Sequence, residues 1–430
     1  MTTIETLYKL YQKHPFVTTD SRNTPEGSLF FALKGESFNG NRFAAQSLEA
    51  GCSYAIVDEQ EAVINDRCLL VENVLRTLQA LARYHRKMCN IPVIGITGTN
   101  GKTTTKELMA AILSKKYTLL YTQGNLNNHI GVPLTLLRLT PEHQMAVIEM
   151  GANHPGEIRE LAEIADPDYG LITNVGMAHL EGFGSFEGVL KTKGELYDYI
   201  RAKKGRIFIN CENPYLESIA RDIEHVPYAT KPGYPVWGEV LNCSPFLKLR
   251  WHLDYSDSHY DATTNLIGSY NLENALAAIC VGHYFGIQAT DTAEALEAYV
   301  PSNNRSQLKN TEQNVLIIDA YNANPTSMAA AIHNFEQYKA PHKAVILGSM
   351  KELGAVSQEE HKRLAFHIAE HNFDRVFLIG EEFRQANSDY PLFSDADSFI
   401  DYLKELPLQG YTILIKGSRG NHLESIVPFL

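Results

Sequence analysis

Residues 98–103 read Gly-Thr-Asn-Gly-Lys-Thr, a spacing of glycine, lysine and hydroxyl side chains that suits phosphate binding. A glycine-rich turn points backbone N–H groups at an anion, and a helix that starts there adds the positive end of its dipole. Lys102 would reach the β- and γ-phosphates of a bound nucleotide, and the Thr103 hydroxyl would bind Mg²⁺. The predicted nucleotide cradle consists of Gly98, Thr99, Asn100, Gly101, Lys102, Thr103 and Thr104.

This turn needs a strand before it and a helix after it. The apolar run 91–96 predicts a buried strand, and apolar residues at helical spacing predict a helix from about Lys102 to Leu113. The generic motif G-x-x-x-x-G-K-[ST] has glycine where this chain has Ile96, and Gly95 lies one residue too early. A chance Gly-Lys-Thr loop is the alternative, and the flanking elements argue against it.

A carboxylate is predicted at the end of a second strand. Residues 145–149 form an apolar run that closes on Glu149, and Pro155 is predicted to open the next helix. Ligands of open α/β sheets lie at the carboxyl ends of the strands. Glu149 is therefore a candidate Mg²⁺ ligand beside Thr103, and the alternative is a rim carboxylate paired with a lysine or a helix N-terminus.

A third strand, 169–174, ends at Asn174 and is followed by His179. A histidine here is either a structural hydrogen-bonding group or a ligand. Lys193 lies fourteen residues further on, at a predicted helix start, where the usual role of a lysine is to cover a solvated face. It becomes a carboxylate-like ligand only if CO₂ carbamylates its neutral amine, which requires a lowered pKa.

Composition sets limits on the class of protein. Of 430 residues, 44% are apolar and 20% are charged, as in ordinary globular proteins, and the net charge of −12 argues against non-specific nucleic-acid binding. No stretch reaches the roughly 18 apolar residues of a membrane span, and the first residues show no signal-peptide pattern. The six cysteines lack C-x-x-C spacing, so we expect neither a metal cluster nor disulfides. Reduced cysteines predict a cytoplasmic location.

The pattern of elements predicts an α/β protein in three parts. Residues 1–90 form a small α/β domain, residues 91–297 carry the cradle on a mostly parallel sheet, and residues 298–430 form a Rossmann-like domain. Strands are predicted at 28–33, 54–57, 315–319, 344–347, 375–379 and 412–415, with an antiparallel excursion at 246–253. The last domain has no G-x-G-x-x-G after its first strand, so dinucleotide binding is not indicated.

Other polar clusters admit two interpretations each. Thr19-Asp20-Ser21-Arg22 is either an Asx-turn with a solvated arginine or a site for a phosphate or uracil group. The Asn-rich loop 123–133 is either a turn cluster or a substrate loop. Asn271 and Asn274 lie one helical turn apart and share a face, where they either cap the helix or contact a ligand.

Four segments together resemble the Mur ligase family, whose members couple ATP to amide-bond formation. They are T-G-T-N-G-K-T-T-T at 97–105, D-S-R-x-x-x-x-G-S-L-F-F-A-L-x-G at 20–35, D-x-Y-N-A-N-P at 319–325 and K-G-S-R at 416–419. The order of these segments along the chain is similar to that in the branch of the family that joins D-alanyl-D-alanine to UDP-N-acetylmuramoyl-tripeptide. Two positions depart from the family pattern, Tyr270 in place of a histidine and Ser349 in place of an aspartate.

The resemblance implies a role for each candidate residue. Lys102, Arg305, His179 and Lys193 would be catalytic, and two Mg²⁺ ions would be held by Thr103 with Glu149 and by His179 with carbamylated Lys193. Asn271, Asn274, Arg305 and Asp319 would contact ATP. The substrates would be bound by Ser21, Arg22, Asn127, Asn128, Asn174, Tyr321, Asn322, Asn324, Lys416 and Arg419.

The implied reaction is a phosphoryl transfer followed by an acyl transfer. The tripeptide carboxylate attacks the γ-phosphate of ATP, and the amine of D-alanyl-D-alanine then displaces phosphate from the acyl phosphate. Two alternatives remain: a ligase of the same family that adds the third amino acid, and a non-catalytic P-loop switch. A monomer is expected, and the third residue of the tripeptide, diaminopimelate or lysine, is left open.

Overall fold

The structure, a computed structural model, describes residues 2–302, 305–386 and 389–430. Its first sheet has four parallel strands in the order β1-β2-β3-β4. The elements are α1 (Ile4–Lys13), β1 (Val17–Thr18), β2 (Leu29–Phe31), α2 (Ala44–Glu49), β3 (Tyr54–Val57), β4 (Cys68–Leu70) and α3 (Val74–Cys89). The strand predicted at 54–57 is confirmed, and the one predicted at 28–33 is shorter.

The central sheet has nine strands in the order β13-β12-β11-β10-β9-β8-β5-β7-β6. Its strands are β5 (Val93–Thr97), β6 (Leu119–Tyr121), β7 (Met145–Glu149), β8 (Tyr169–Ile172), β9 (Arg206–Asn210), β10 (Glu224–Ala229), β11 (Val236–Asn242), β12 (Lys248–Leu253) and β13 (His259–Thr263). Strands β5 to β11 pair in parallel, whereas β12 and β13 are antiparallel, which confirms the predicted excursion.

Helices cover both faces of this sheet. They are α4 (Lys102–Leu113), α5 (Gly131–Leu136), α6 (Glu157–Ala165), α7 (Leu180–Phe183), α8 (Phe186–Lys203), α9 (Pro214–Ile219), α10 (Asn271–Tyr284) and α11 (Ala289–Ala298). One core joins this sheet to α3 through Leu78 and Leu81, so the first part packs on the central part through apolar side chains. In the ranges described, no helix is long and apolar enough to cross a membrane.

The third sheet has six strands in the order β14-β15-β19-β16-β17-β18, and only its edge strand β14 is antiparallel. Its elements are β14 (Gln307–Asn310), β15 (Val315–Asp319), α12 (Pro325–Gln337), β16 (Lys343–Gly348), α13 (Ser357–Ala369), β17 (Arg375–Ile379), β18 (Leu392–Phe393), α14 (Ala396–Glu405) and β19 (Thr412–Lys416). The four parallel strands predicted here are confirmed, and the predicted α/β class with mostly parallel sheets is confirmed.

Two predicted helix starts are wrong. The helix after β7 begins at Glu157 rather than at Pro155, because Gly156 has a positive φ of 91° that no helix accommodates. Lys193 lies in the middle of α8, not at its start. The helix begins after Ser185, whose side chain accepts a hydrogen bond from the backbone N–H of Gly188 and so caps the first turn.

Candidate active site

A cleft of about 760 Å³ lies where the carboxyl ends of the central strands face the third sheet. It contains most of the residues predicted from the sequence. These are Thr99, Asn100, Gly101, Lys102, Thr103, Thr104, Asn127, Asn128, Glu149, Asn174, His179, Asn271, Asn274, Arg305, Asp319, Tyr321, Asn322 and Lys416. Six predicted residues lie outside its lining, namely Ser21, Arg22, Gly98, Lys193, Asn324 and Arg419.

The turn between β5 and α4 needs both of its glycines. Gly98 and Gly101 have positive φ angles of 140° and 78°, which side-chain-bearing residues rarely adopt. A Cβ on Gly98 would lie 2.0 Å from Thr173 Oγ1, and one on Gly101 would lie 2.3 Å from Asn274 Oδ1. The turn is also tied to β8, since the N–H of Asn100 donates to Asn174 Oδ1 at 2.9 Å. Asn174 therefore positions the cradle.

Gly101→Ala is expected to weaken nucleotide binding at least about tenfold, because the added methyl group displaces Asn274 and strains the turn. The measurement is calorimetric titration with a non-hydrolysable ATP analogue. Gly156→Ala is the matched control, since Gly156 also has a positive φ (91°) but open space around its Cβ. Equal affinities for the two variants would show that the close approach to Asn274 is irrelevant.

Lys102 occupies the centre of the turn. Its Nζ donates to the carbonyl oxygens of Gly98 at 2.6 Å and Thr99 at 3.0 Å. Burial lowers the pKa of Lys102 to about 8, although the carboxylate of Glu149 raises it in part. The partners are neutral, so the ammonium group gains by exchanging them for the charged oxygens of a phosphate.

Glu149 is buried, with 1% of its surface exposed. Its Oε1 accepts hydrogen bonds from Thr103 Oγ1 at 3.1 Å and from Asn127 Nδ2 at 2.8 Å. Among the described residues none donates a hydrogen bond to Oε2, and the nearest cation is Lys106 Nζ at 3.8 Å. A buried carboxylate oxygen without a donor is costly. Together with the Thr103 hydroxyl it forms an all-oxygen set that suits Mg²⁺.

His179 and Lys193 both approach the ring of Phe183. Lys193 is 2% exposed, and its Nζ lies 5.1 Å from the centroid of that ring and 3.5 Å from the carbonyl oxygen of Ala152. Burial, followed by the positive charge of Lys102, lowers the pKa of Lys193 to about 7. The imidazole of His179 stands edge-on to Phe183, and its Nδ1 lies 2.5 Å from Glu352 Oε2.

The third sheet contributes charged groups to the opposite wall. Asp319 and Lys416 are register partners at the ends of β15 and β19, and Lys416 Nζ donates to Asp319 Oδ2 at 2.5 Å. The guanidinium of Arg305 lies 3.8 Å from the ring centroid of Tyr321, and that of Arg419 lies 5.5 Å from it. Within the described ranges, no acceptor bonds the buried Nε of Arg305.

Two further asparagines that were predicted to bind substrate, Asn324 and Asn128, make structural hydrogen bonds. Asn324 caps α12 and donates through Nδ2 to Asn100 Oδ1 at 2.8 Å, which links the third sheet to the cradle. Asn128 Oδ1 accepts from the N–H groups of Ile130 and Gly131.

Asn271 and Asn274 share a helix face as predicted. Asn274 Nδ2 donates to Asn271 Oδ1 at 2.9 Å, and Thr105 Oγ1 donates to Asn274 Oδ1 at 3.1 Å. The neighbouring Tyr270 hydroxyl lies 3.0 Å from Ser306 Oγ. Helix α10 is thereby fastened to the cradle helix α4 on one side and to the segment after Arg305 on the other.

The loop at 19–22 forms the Asx-turn that the sequence allowed. The N–H of Arg22 donates to Asp20 Oδ1 at 2.9 Å, and its exposed guanidinium binds the same carboxylate through two hydrogen bonds. These bonds lower the pKa of Asp20 to about 2. Arg22 is thus solvent-exposed and pre-oriented, and Ser21 lies beside it.

Sequence reasoning missed Glu352 and Lys106. Glu352 lies in the loop after β16, and the position of that loop at the carboxyl end of a parallel strand could have indicated it. Lys106 is fully buried and donates to the carbonyl oxygen of Thr122 at 2.5 Å. No signal in the sequence distinguishes it from a surface lysine of the same helix.

Sequence profiles of one family match the chain along nearly its whole length. They are described as Mur ligase family, catalytic domain, at residues 14–111, Mur ligase middle domain at 96–282, and Mur ligase, glutamate ligase domain, at 304–419. The chain belongs to the Mur ligase family. The predicted resemblance is therefore confirmed, and with it the three-part Mur ligase architecture.

Individual relatives of the chain are also Mur ligases. The UDP-N-acetylmuramoyl-tripeptide–D-alanyl-D-alanine ligase of Bacillus subtilis is 35% identical over 96% of this Mur ligase and 92% of its own length. A crystal structure of MurF from Acinetobacter baumannii superposes with a TM-score of 0.87 at 30% identity, covering 98% and 97% of the two chains. MurF ligase from Thermotoga maritima, solved in complex with ADP, superposes with a TM-score of 0.86 at 27% identity. The match covers 100% of this chain and 98% of the Thermotoga chain.

Proposed function

We propose that this Mur ligase joins D-alanyl-D-alanine to UDP-N-acetylmuramoyl-tripeptide, with ATP as the energy source and an acyl phosphate as the intermediate. The observation that carries the proposal is the cleft, which places the glycine-rich turn and Lys102 opposite Arg305 and Lys416. The names of full-length relatives support the choice of substrates, and the ADP complex of the Thermotoga protein supports the use of ATP.

Charge neutralisation is the main task of the side chains around the triphosphate. As the peptide carboxylate attacks the γ-phosphorus and the bond to ADP breaks, negative charge builds on the phosphoryl oxygens and on the departing ADP, and preorganised donors stabilise it. Lys102 comes from the turn after β5, and Arg305 comes from the segment before β14. They supply two positive charges from opposite walls of the cleft. The buried Nε of Arg305 lacks a protein acceptor among the described residues, so a phosphate oxygen would satisfy it.

The oxygen atoms of Thr103 and Glu149 fit a bound Mg²⁺. Thr103 Oγ1 and the donor-free Oε2 of Glu149 would hold one ion, and His179 with carbamylated Lys193 would hold a second. When bound, the metal ions neutralise charge on the transferring phosphoryl group. Asn127 keeps the carboxylate of Glu149 oriented through its bond to Oε1.

Carbamylation of Lys193 is part of the proposal because the side chain is buried against Phe183 and its amine is readily neutral. A pKa near 7 means that the reactive neutral form dominates above that pH, so carbamate should increase from pH 6 to pH 8.5. The measurement is ¹³C NMR of enzyme equilibrated with ¹³C-bicarbonate. Lys193→Gln should lose the signal and Lys191→Gln, at an exposed position on the same helix, should keep it. A wild-type spectrum without a carbamate signal would refute the modification.

Substrate binding is proposed at two further places. Ser21 and the pre-oriented guanidinium of Arg22 would hold the uridine diphosphate group. Tyr321, Asn322, Asn324, Lys416 and Arg419 would receive the dipeptide, whose carboxylate suits a guanidinium partner. Asp319 would orient Lys416 and, with Asn271 and Asn274, approach the nucleotide. Asn127, Asn128 and Asn174 would border the sugar and peptide portion.

The acyl-transfer step needs a cleft that excludes water, because water would hydrolyse the acyl phosphate. The hydrogen bond between Asn324 and Asn100 already holds the third sheet against the cradle. With the dipeptide amine placed beside the activated carbonyl, its attack forms the amide and releases phosphate. Positioning supplies much of the rate, so no side-chain nucleophile is required.

Phosphate release tests the proposal. A ligase of the proposed type releases phosphate from ATP only when both UDP-tripeptide and D-alanyl-D-alanine are present. A P-loop switch releases it regardless of either substrate, and a ligase for the third amino acid requires UDP-dipeptide and that amino acid instead. A panel of the lysine and diaminopimelate tripeptides then identifies the third residue.

We also propose the division into domains at residues 1–90, 91–297 and 298–430, each built around one of the three sheets. The proposed enzyme acts as a cytoplasmic monomer. Light scattering at the concentration of the assay tests the oligomeric state, and a dimer would contradict it.

A further inference from the structure

Two loops from different sheets meet at the edge of the cleft. One is the turn at His179 that opens α7 in the central part, and the other is the loop 350–354 that follows β16 in the third part. His179 Nδ1 lies 2.5 Å from Glu352 Oε2, and the N–H of Glu181 donates to the carbonyl oxygen of Glu352 at 3.3 Å. The contact thus joins side chain to side chain and backbone to backbone.

The backbone at this contact is unusual on both sides. His179 has a φ of 51° and Glu352 a φ of 63°, so both residues adopt the left-handed conformation without being glycine. Such residues are uncommon, and they persist where the surrounding structure fixes them, often at functional sites. Gly354, with a φ of 55°, completes the loop against Glu181, since a Cβ there would lie 3.3 Å from Glu181 Cα.

The contact also bears on the orientation of the imidazole. The contact is a close approach of Nδ1 to a carboxylate oxygen rather than a well-directed hydrogen bond, since the buried Nδ1 has no hydrogen-bond partner among the described residues. A carboxylate can only accept a hydrogen bond, so Glu352 would hold the ring through a proton on Nδ1. With Nδ1 placed against the carboxylate, Nε2 is the ring nitrogen left for another partner. Histidines that bind metals commonly have a carboxylate on their other nitrogen, which fixes the tautomer and the ring orientation.

We propose that Glu352 is a positioning residue that orients His179 from the opposite domain, so that closure of the cleft and preparation of the imidazole are one event. This inference rests on the proposed function for its kinetic consequence only. The contacts between Glu352 and the His179 turn are observed in the structure without any substrate. Lys351, the residue before Glu352, does not compete for the Glu352 carboxylate, because it pairs with Glu382 of its own domain.

The coupling predicts a selective kinetic effect. The third domain carries the proposed dipeptide site, whereas the cradle for ATP belongs to the central domain. Glu352→Gln should therefore raise the KM for D-alanyl-D-alanine about tenfold, which is typical of coupling between two sites, and leave the KM for ATP within about twofold. Glu359→Gln is the matched control, since it removes the same charge from the exposed face of α13 in the same domain.

Hydrogen exchange measured by mass spectrometry provides a readout that does not depend on activity. Glu352→Gln should increase exchange in peptides covering 180–184 and 350–356, where the amide of Glu181 is bonded across the boundary, and peptides from β16 should stay protected. In ¹⁵N-histidine spectra, the Nδ1–H tautomer of His179 should be lost in the same variant. The thermal midpoint should stay within a few degrees, because the Glu352 side chain is half exposed.

Two outcomes would overturn the proposal: wild-type exchange and tautomer in Glu352→Gln, or equal effects in Glu359→Gln. The proposed function fails independently, if wild-type enzyme releases no phosphate in the presence of both substrates. In that case the exchange and tautomer measurements still decide whether Glu352 positions His179.

Discussion

Lys102→Ala should lower kcat/KM for ligation by about 10²- to 10³-fold, the loss typical of removing one preorganised charge-stabilising donor. Its Nζ is enclosed by the carbonyl oxygens of the turn that binds the phosphates, and Arg305 stands on the opposite wall. Removing the ammonium leaves Arg305 as the one cationic side chain that the proposed mechanism places on the phosphates. The assay is phosphate release with both substrates at saturating and subsaturating ATP.

Lys115→Ala is the control for this variant. Lys115 lies just beyond the end of the same helix, at an exposed position, and pairs with the exposed Glu294 at 3.0 Å. It should retain wild-type kinetics, so that loss of a positive charge as such is separated from loss of the charge in the turn. Near wild-type turnover of Lys102→Ala would refute the assignment of the cradle and with it the proposed phosphoryl transfer.

The strands and helices that hold the site can be predicted from the sequence, because each one is indicated by the residues within it. Strands β7, β15 and β17 and helix α4 begin and end where the apolar runs and the helical spacing predicted. Strands of parallel sheets are buried on both faces, so their apolar runs are continuous and have sharp ends. The residues that follow those ends, Glu149 among them, therefore fall at one edge of the sheet.

Contacts between distant segments lack such signals. The pairing of His179 with Glu352 depends on how the third sheet packs against the central sheet. No local sequence pattern encodes that orientation. Burial of Lys193 was missed for a related reason. Its helix starts at the Ser185 cap, about two turns before Lys193, and the side chain lies under Phe183 rather than in solvent.

The oxygen set at Glu149 gives the second large prediction. Glu149→Gln keeps the shape and the acceptor for Thr103 and Asn127, but it replaces the donor-free Oε2 by an uncharged group. Ligation should fall about 10²- to 10³-fold, because charge at the phosphoryl group is no longer neutralised through this position. A higher Mg²⁺ concentration should be needed for half-maximal residual activity. Activity titrated against Mg²⁺ measures both effects.

The fold should survive this change. Breaking a buried ion pair commonly costs about 3–5 kcal/mol, because it leaves an unpaired charge. Here the partner Lys106 is 3.8 Å from Glu149 and keeps Glu107 at 2.9 Å and the carbonyl oxygen of Thr122, so the cost should fall below that range. Glu163→Gln, exposed on the following helix, controls for net charge. If Glu149→Gln unfolds or keeps wild-type activity, then Glu149 is a structural partner of Lys106 rather than a metal ligand.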